Sequence, residues 1–286
     1  MTAEKLDMKH LPLLRPLLKE AKTYISEYSF ANLFLFRNVH EYEVVEEGDV
    51  FLKGRSYDGK SFIFPVFDVT KKERSYMRRL SGMADYLFPI PEEKLALFDT
   101  DVYDLTYLPE DSDYVYTTEK LAGYKGSKMH DKRNLLNQFL SLYTPSAQPL
   151  TADRMKDAKD VLDQWQADVG EKKEETDYFP CIEAFEMYDD LVLCGGMYYV
   201  NKEPAGFIIG EEINSDLFAL HFAKGKRKFK GLYQYMFNNF ANILPKKYVY
   251  MNFEQDMGKL ALKIAKSSYN PDLMVKKYRV SLRKGI

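Results

Sequence analysis

Apolar positions change their period several times along this chain. Leu13, Leu14, Leu17, Leu18, Ala21 and Ile25 recur at helical spacing, with Pro12 and Pro16 near the start, where a first turn tolerates them. Ser29 is a candidate N-cap for a second helix. From Asp49 the period falls to two through Phe51, Lys53 and Arg55, then Phe62, Phe64 and Val66, and the intervening Asp58-Gly59 predicts a type I′ hairpin turn. A charged, Pro-punctuated region runs to about Pro109. A strand is predicted at Tyr114 to Thr117, then a helix carrying Leu135, Leu136, Phe139, Leu140 and Tyr143. Thr144 to Thr151, with Pro145 and Pro149, is the best candidate for a domain boundary.

In the second half, Met155, Ala158, Leu162, Trp165 and Val169 mark one helix face, and Gly170 to Asp177 is an acidic polar loop. A helix through Ile182, Phe185 and Met187 leads to three predicted strands, Leu191 to Val200, Ala205 to Glu212 and Leu217 to Lys224. A basic loop at Lys224 to Lys230 opens a helix with Leu232, Tyr235, Met236, Phe240 and Ile243 on one side. Strand Tyr248 to Phe253, helix Met257 to Ser268 and strand Met274 to Leu282 complete the half. This element order resembles the acetyltransferase-like (GNAT) fold, and the first half repeats its two-helices-then-hairpin opening. The expectation is an α/β protein with an α+β mixed sheet, built as two tandem GNAT domains over residues 1–146 and 147–286.

Composition narrows the function. The chain has 286 residues, 45% hydrophobic and 15% aromatic, enough for one large core or two ordinary ones. A formal net charge of −2 argues against a dedicated duplex-DNA binder, so any nucleic-acid contact is local. Cys181 and Cys194 have neither disulfide-framework nor zinc spacing and read as reduced core thiols. The longest apolar stretch, Leu191 to Val200, is about half of the roughly 20 residues a bilayer span needs, so a cytoplasmic protein without integral membrane contact is expected. His10, His40, His130 and His221 are too scattered for a metal motif, and His221 reads as a hydrogen-bonded core histidine.

Three constellations carry candidate chemistry. The first is the turn between a strand and a helix that contains Lys226, Arg227, Lys228, Lys230 and Gly231. The first turn of a helix exposes unpaired N–H groups with partial positive charge, and cations beside it add charge-assisted contacts to phosphate. Acetyltransferases grip the coenzyme A pyrophosphate with a Q/R-x-x-G-x-G/A loop, and Lys228-x-x-Gly231-x-Tyr233 matches it partially, with a bulky residue in the last small position. The second runs from Asn252 through Glu254 and Asp256 to Tyr269 and Pro271, beginning at a strand end, where open α/β sheets place ligands. The third, a second basic site, comprises Lys125, Lys128, Lys132, Arg133 and Asn134.

The segments EKLAGYKGSKMHDKRNLLNQF, GKRKFKGLYQYMFNNFA and NFEQDMGKLALKIAKSSYNP together resemble the phosphatidylglycerol lysyltransferase C-terminal-domain family. The resemblance implies tandem acetyltransferase-like domains and, for the named members, transfer of an amino acid from aminoacyl-tRNA onto a membrane lipid. The long multi-helix membrane portion of those synthases has no counterpart in this sequence, leaving the acceptor open and lipid contact at most peripheral.

Aminoacyl esters and acyl thioesters both react by attack at a carbonyl, which needs a base and oxyanion donors but no covalent nucleophile. Glu254 and Asp256 are candidate bases, or holders of an acceptor amine, and Tyr269 is a candidate proton donor to the leaving group. As a structural alternative, Glu254 and Asp256 cap the next helix and Tyr269 packs on the sheet. No permanently bound cofactor is expected; acyl-CoA or aminoacyl-tRNA would be the donor substrate. The competing class is a non-catalytic ligand-binding module on the same fold.

Overall fold

The computed structural model describes residues 2–283. In chain order the first elements are β1 (Thr2–Lys5), α1 (Leu11–Glu20), α2 (Phe30–Leu35), β2 (Glu43–Glu47), β3 (Asp49–Arg55), β4 (Ser61–Pro65), α3 (Arg74–Ser81), β5 (Tyr86–Pro91) and β6 (Tyr103–Tyr107). Next come β7 (Asp113–Thr117), α4 (Thr118–Gly123), α5 (His130–Leu142), β8 (Pro145–Pro149), α6 (Met155–Val169), α7 (Tyr178–Glu186), β9 (Cys194–Val200), β10 (Glu203–Glu212) and β11 (Leu217–Gly225). The chain closes with α8 (Leu232–Ile243), β12 (Tyr250–Asn252), α9 (Leu260–Ser267), β13 (Leu273–Val275) and β14 (Lys277–Leu282).

Local chemistry explains most boundaries. Ser29 caps α2 by accepting the Asn32 N–H. Helix α1 stops at Glu20, short of Ile25, because the chain turns left-handed at Lys22, φ 47°. The β3–β4 connection is not the expected two-residue turn: Arg55 pairs with Ser61, leaving a five-residue loop in which Gly59 has φ 80° and Asp58 accepts the Lys60 N–H. Strand β9 begins at Cys194, later than expected, after Val192 at φ 59°. Cys194 is exposed, unlike the buried Cys181, so only one thiol belongs to a core.

The strands form two seven-stranded mixed sheets, ordered β1-β2-β3-β4-β5-β14-β6 and β13-β7-β12-β11-β10-β9-β8. Both sheets are mixed: β4 and β5 pair parallel in the first and β11 and β12 in the second, while β10 pairs antiparallel with β9 and β11, and β14 with β5 and β6. Two compact units result, one comprising Met1–Asp113, Gln255–Lys263 and Met274–Ile286, the other Tyr114–Glu254 and Ile264–Leu273. This division differs from the expected cut between residues 146 and 147. Residues 145–149 form an edge strand on β9, where prolines are tolerated because no inner ladder needs their N–H. Strand β7 pairs with β12 through Tyr116 and Met251, so the second sheet already begins at β7, well before residue 147. The last strand, β14, lies between β5 and β6 of the first sheet.

Each unit has its own core. In the first, Val45, Phe51, Ile63, Leu87, Ile90 and Val280 pack around α3 residues Met77 and Leu80. In the second, Tyr116, Tyr198, Ile208, Phe218 and Met251 pack with α8 residues Leu232, Met236 and Phe240. Among the described residues, no helix is long and apolar enough to cross a membrane, and no cluster of His, Cys, Asp and Glu could hold a metal ion.

Candidate functional site

The centre of the second sheet carries a β-bulge. Ile209 pairs with Phe222 and the next residue, Gly210, with Leu220, so His221 is the extra residue on β11. A bulge re-aims the side chain it inserts. Gly210 is required there, since a Cβ would lie 2.0 Å from the Ala219 carbonyl oxygen. The His221 side chain is fully buried, and its Nε2 and Nδ1 meet Glu211 Oε1 at 2.9 Å and Glu254 Oε1 at 2.8 Å. Burial alone would lower the imidazole pKa, but hydrogen bonds and charges from the two carboxylates overcome it and push it up to about 10. The ring is therefore an imidazolium at neutral pH, donating from both nitrogens.

Glu254 lies just beyond β12. Pairing of β11 with β12 ends at Ala219 and Asn252, so His221 and Glu254 meet just past the last paired residues. Glu254 holds φ 59°, a left-handed conformation that costs a non-glycine residue energy, and its N–H donates to Asn252 Oδ1 at 2.6 Å. Stored backbone strain beside a buried charge cluster is characteristic of sites whose geometry is fixed for a task.

Beyond this point rings fill the ground between the ends of β11 and β12. Gly225 N–H donates to the Tyr233 hydroxyl at 3.1 Å, Tyr233 is 6.1 Å from Phe237, and Phe237 is 4.7 Å from Phe253. Tyr269 joins this cluster, 5.5 Å from Phe237, and its hydroxyl accepts from Gln234 at 2.8 Å. Burial raises the Tyr269 phenol well above its ordinary range, so it remains protonated. Asp256 belongs to the other compact unit, where its Oδ1 accepts the Gly258 N–H at 2.8 Å and its carbonyl the Lys259 N–H at 3.0 Å. That is a turn before α9, the structural alternative for this residue. The structure groups Glu254 with His221 and Glu211, and sets Tyr269 among rings.

The basic turn after β11 is folded onto carboxylates. Glu203 Oε1 accepts from Lys226 at 2.9 Å and from Lys228 at 2.6 Å, and hydrogen bonds from the two ammonium groups hold its carboxyl below the usual range. The Arg227 N–H reaches Asp168 at 3.2 Å, while the Arg227 and Lys230 side chains are exposed. Gly231 N-caps α8 at φ 89°, and a Cβ there would be 2.6 Å from the Leu135 carbonyl oxygen and 2.9 Å from Phe139 Cβ. Its glycine is thus demanded by the close approach of α5. Gly231→Ala combines left-handed strain with this clash and should destabilise the protein by about 1–3 kcal/mol in urea unfolding.

The second basic site divides into structural and exposed members. Lys132 donates to Ser268 at 2.6 Å and lies 4.1 Å over the Tyr269 ring, and burial lowers its pKa. Arg133 donates to the Tyr124 carbonyl at 2.7 Å, and Asn134 Nδ2 contacts His130 Nε2 at 2.9 Å. Lys125 and Lys128 are exposed, Lys125 only 3.8 Å from an equally exposed Glu119. Ring contacts Phe139–Tyr235 at 5.1 Å and Tyr143–Phe229 at 5.5 Å pack α5 against α8 and its preceding turn, so both basic segments belong to one unit.

Sequence reasoning missed the roles of three residues on β10 and β11. Glu211 lies on the strand expected from Ala205 to Glu212 but drew no attention, and Glu203, which opens β10, lies ahead of where that strand was expected to begin. Buried Lys224, read as part of a phosphate turn, instead donates to both Asp177 oxygens at 2.7 Å with its ammonium 3.7 Å from the Trp165 ring centroid. The acidic loop and the lone tryptophan supplied the signal for that pair, since a buried lysine needs both neutralisation and desolvated packing.

The model of the family described as phosphatidylglycerol lysyltransferase, C-terminal, matches residues 18–281. An uncharacterized protein of Mycoplasmoides gallisepticum is 24% identical over 188 residues, 63% of this chain and 59% of the relative, so the match spans under two thirds of that relative's length. A conserved protein of unknown function from Bacteroides thetaiotaomicron has a similar structure, TM-score 0.87 at 24% identity, over 99% of this chain and 100% of that one. L-PGS from Bacillus licheniformis superposes with TM-score 0.60 at 14% identity, covering 99% of this chain and 94% of its own. The fold is therefore a tandem, acetyltransferase-like arrangement of two mixed sheets, and with nearly its whole described length matched, the chain belongs to the phosphatidylglycerol lysyltransferase C-terminal family.

Proposed function

We propose that the second unit transfers an aminoacyl group from charged tRNA to an amine or hydroxyl acceptor. Family membership supports aminoacyl transfer. The observation that carries the choice of donor is Tyr233: at the position acetyltransferases keep small beside the coenzyme A pyrophosphate, its hydroxyl takes the Gly225 N–H and its ring begins the row that reaches Phe253. A ring at that position opposes the coenzyme A pyrophosphate, whereas a polynucleotide can engage the exposed Arg227, Lys230, Lys125 and Lys128 from outside. In this reading Glu254 takes the proton of the attacking nucleophile and returns it to the departing ribose oxygen. His221, fixed by Glu211, orients that carboxylate as the third group of a nucleophile–base pair does.

Electrophoretic titration with charged tRNA, beside calorimetry with acyl-CoA, tests the donor. Charged tRNA should bind with an affinity that falls steeply with salt, and Lys228→Glu should weaken it at least about tenfold. Acyl-CoA binding without tRNA binding would refute the choice. The commitment of the Glu254 carboxylate to His221 favours a second reading, a ligand-binding module without transfer chemistry. It requires Glu254→Gln to leave the biological readout intact while Lys228→Glu abolishes it.

A further inference from the structure

The donor turn carries its own counter-anion. Strand β9 turns into β10 through Asn201 at φ 51° and Lys202 at φ 69°, the two consecutive left-handed residues of a type I′ turn, with Val200 paired to Glu203. This rigid hairpin fixes where Glu203 begins β10. Because β10 and β11 are antiparallel, the start of one adjoins the end of the other: Gly206 pairs with Gly225, and the Lys226 N–H donates to the Ala205 carbonyl at 2.9 Å. One carboxylate thereby faces two lysines of the turn, accepting from Lys226 at 2.9 Å and from Lys228 at 2.6 and 2.8 Å.

We infer that Glu203 occupies the place of a donor phosphate and is displaced when the donor binds. This rests on the donor assignment made above for the same turn. A carboxylate bridging two ammonium groups presents the same charge-assisted acceptors as a phosphate oxygen pair. The Glu203 and Lys228 side chains are 41% and 57% exposed, so solvent screens the pair and exchange for a polyanion is cheap. Lys226 is 13% exposed, and Glu203 holds it in position while the turn is empty. Binding at this turn is then an exchange of anions, which lowers affinity for any phosphate while keeping both lysines oriented.

Four proteins distinguish this: wild type, Glu203→Gln, the double variant Lys226→Gln/Lys228→Gln, and the triple variant. The probes are unfractionated tRNA and inorganic pyrophosphate, with unfolding curves confirming that each protein is folded. Glu203→Gln should bind both probes about three- to tenfold more tightly, with a salt slope for tRNA steeper by about one to two. The triple variant should show no gain over the double. Equal or weaker binding by Glu203→Gln, or a gain that persists without the lysines, overturns the inference. If tRNA binds neither wild type nor Glu203→Gln while pyrophosphate shows the lysine-dependent gain, the tRNA donor fails and the counter-anion stands. Absence of pyrophosphate binding in both proteins overturns the counter-anion itself.

Discussion

Between pH 6.5 and pH 10 the protein is expected to lose several kcal/mol of stability, because His221 releases in the folded state at about pH 10 a proton that the unfolded chain releases near 6.5. A raised folded pKa means that the native state binds the extra proton more tightly. Its contribution is complete below pH 6.5 and disappears as pH rises through 10. At about 1.4 kcal/mol per pKa unit, the window corresponds to up to roughly 4–5 kcal/mol. Urea unfolding at intervals from pH 6 to 10 measures the slope, and the imidazole proton resonances should keep their imidazolium shifts to about pH 9. Stability flat across this range would mean that Glu211 and Glu254 do not hold a charged ring.

Lys277→Met should be the most damaging single substitution in the first unit. Lys277 is fully buried, 2.6 Å from Asp113 Oδ1 and 2.5 Å from Glu27 Oε2, and Asp113 also accepts the Ser26 N–H at 2.8 Å. Removing the cation leaves two carboxylates facing each other without water, a loss of about 3–5 kcal/mol by the usual cost of breaking a buried pair. Burial first, and then the nearby Asp113 charge, push the Glu27 carboxyl up to about 7 against the pull of Lys277. Its contribution is present below its unfolded value of 4.5 and fades as pH rises through 7. The Lys277→Met defect should accordingly be smallest in acid, where protonation replaces the missing cation, and Asp113→Asn in the same chain should recover part of it. A defect independent of pH, or below about 1 kcal/mol, would show that the cluster is not ionised as drawn.

The periodicity of apolar residues made the element order legible, because helices and strands bury one face at 3.6 or 2 residues and turn residues punctuate them. Ser29 fell where the pattern puts it, and of the expected α6 face Ala158 and Leu162 are buried, joined by Val161 and Gln166. What the pattern could not express was pairing partner. Pro145 and Pro149 look like a linker in one dimension, yet form an edge strand because β9 offers a ladder on that side. The site was half legible. Glu254 and the basic turn stand out by type and position. Glu211, Glu203 and the bulge at His221 depend on which residues the antiparallel register brings opposite one another, information absent from spacing along a single strand. Gly231 carries a further constraint that the motif could not express, the close approach of Leu135 and Phe139 across from it.

Transfer itself tests the proposed role of Glu254 at the reacting carbonyl. A labelled aminoacyl group on tRNA, mixed with wild type or Glu254→Gln and a panel of amine and hydroxyl acceptors, reports both release from tRNA and appearance on an acceptor. Wild type should transfer the aminoacyl group, and Glu254→Gln should lose about 10²–10⁴-fold with tRNA affinity retained. Equal rates in the two proteins, or no release from tRNA with any acceptor, would refute that role.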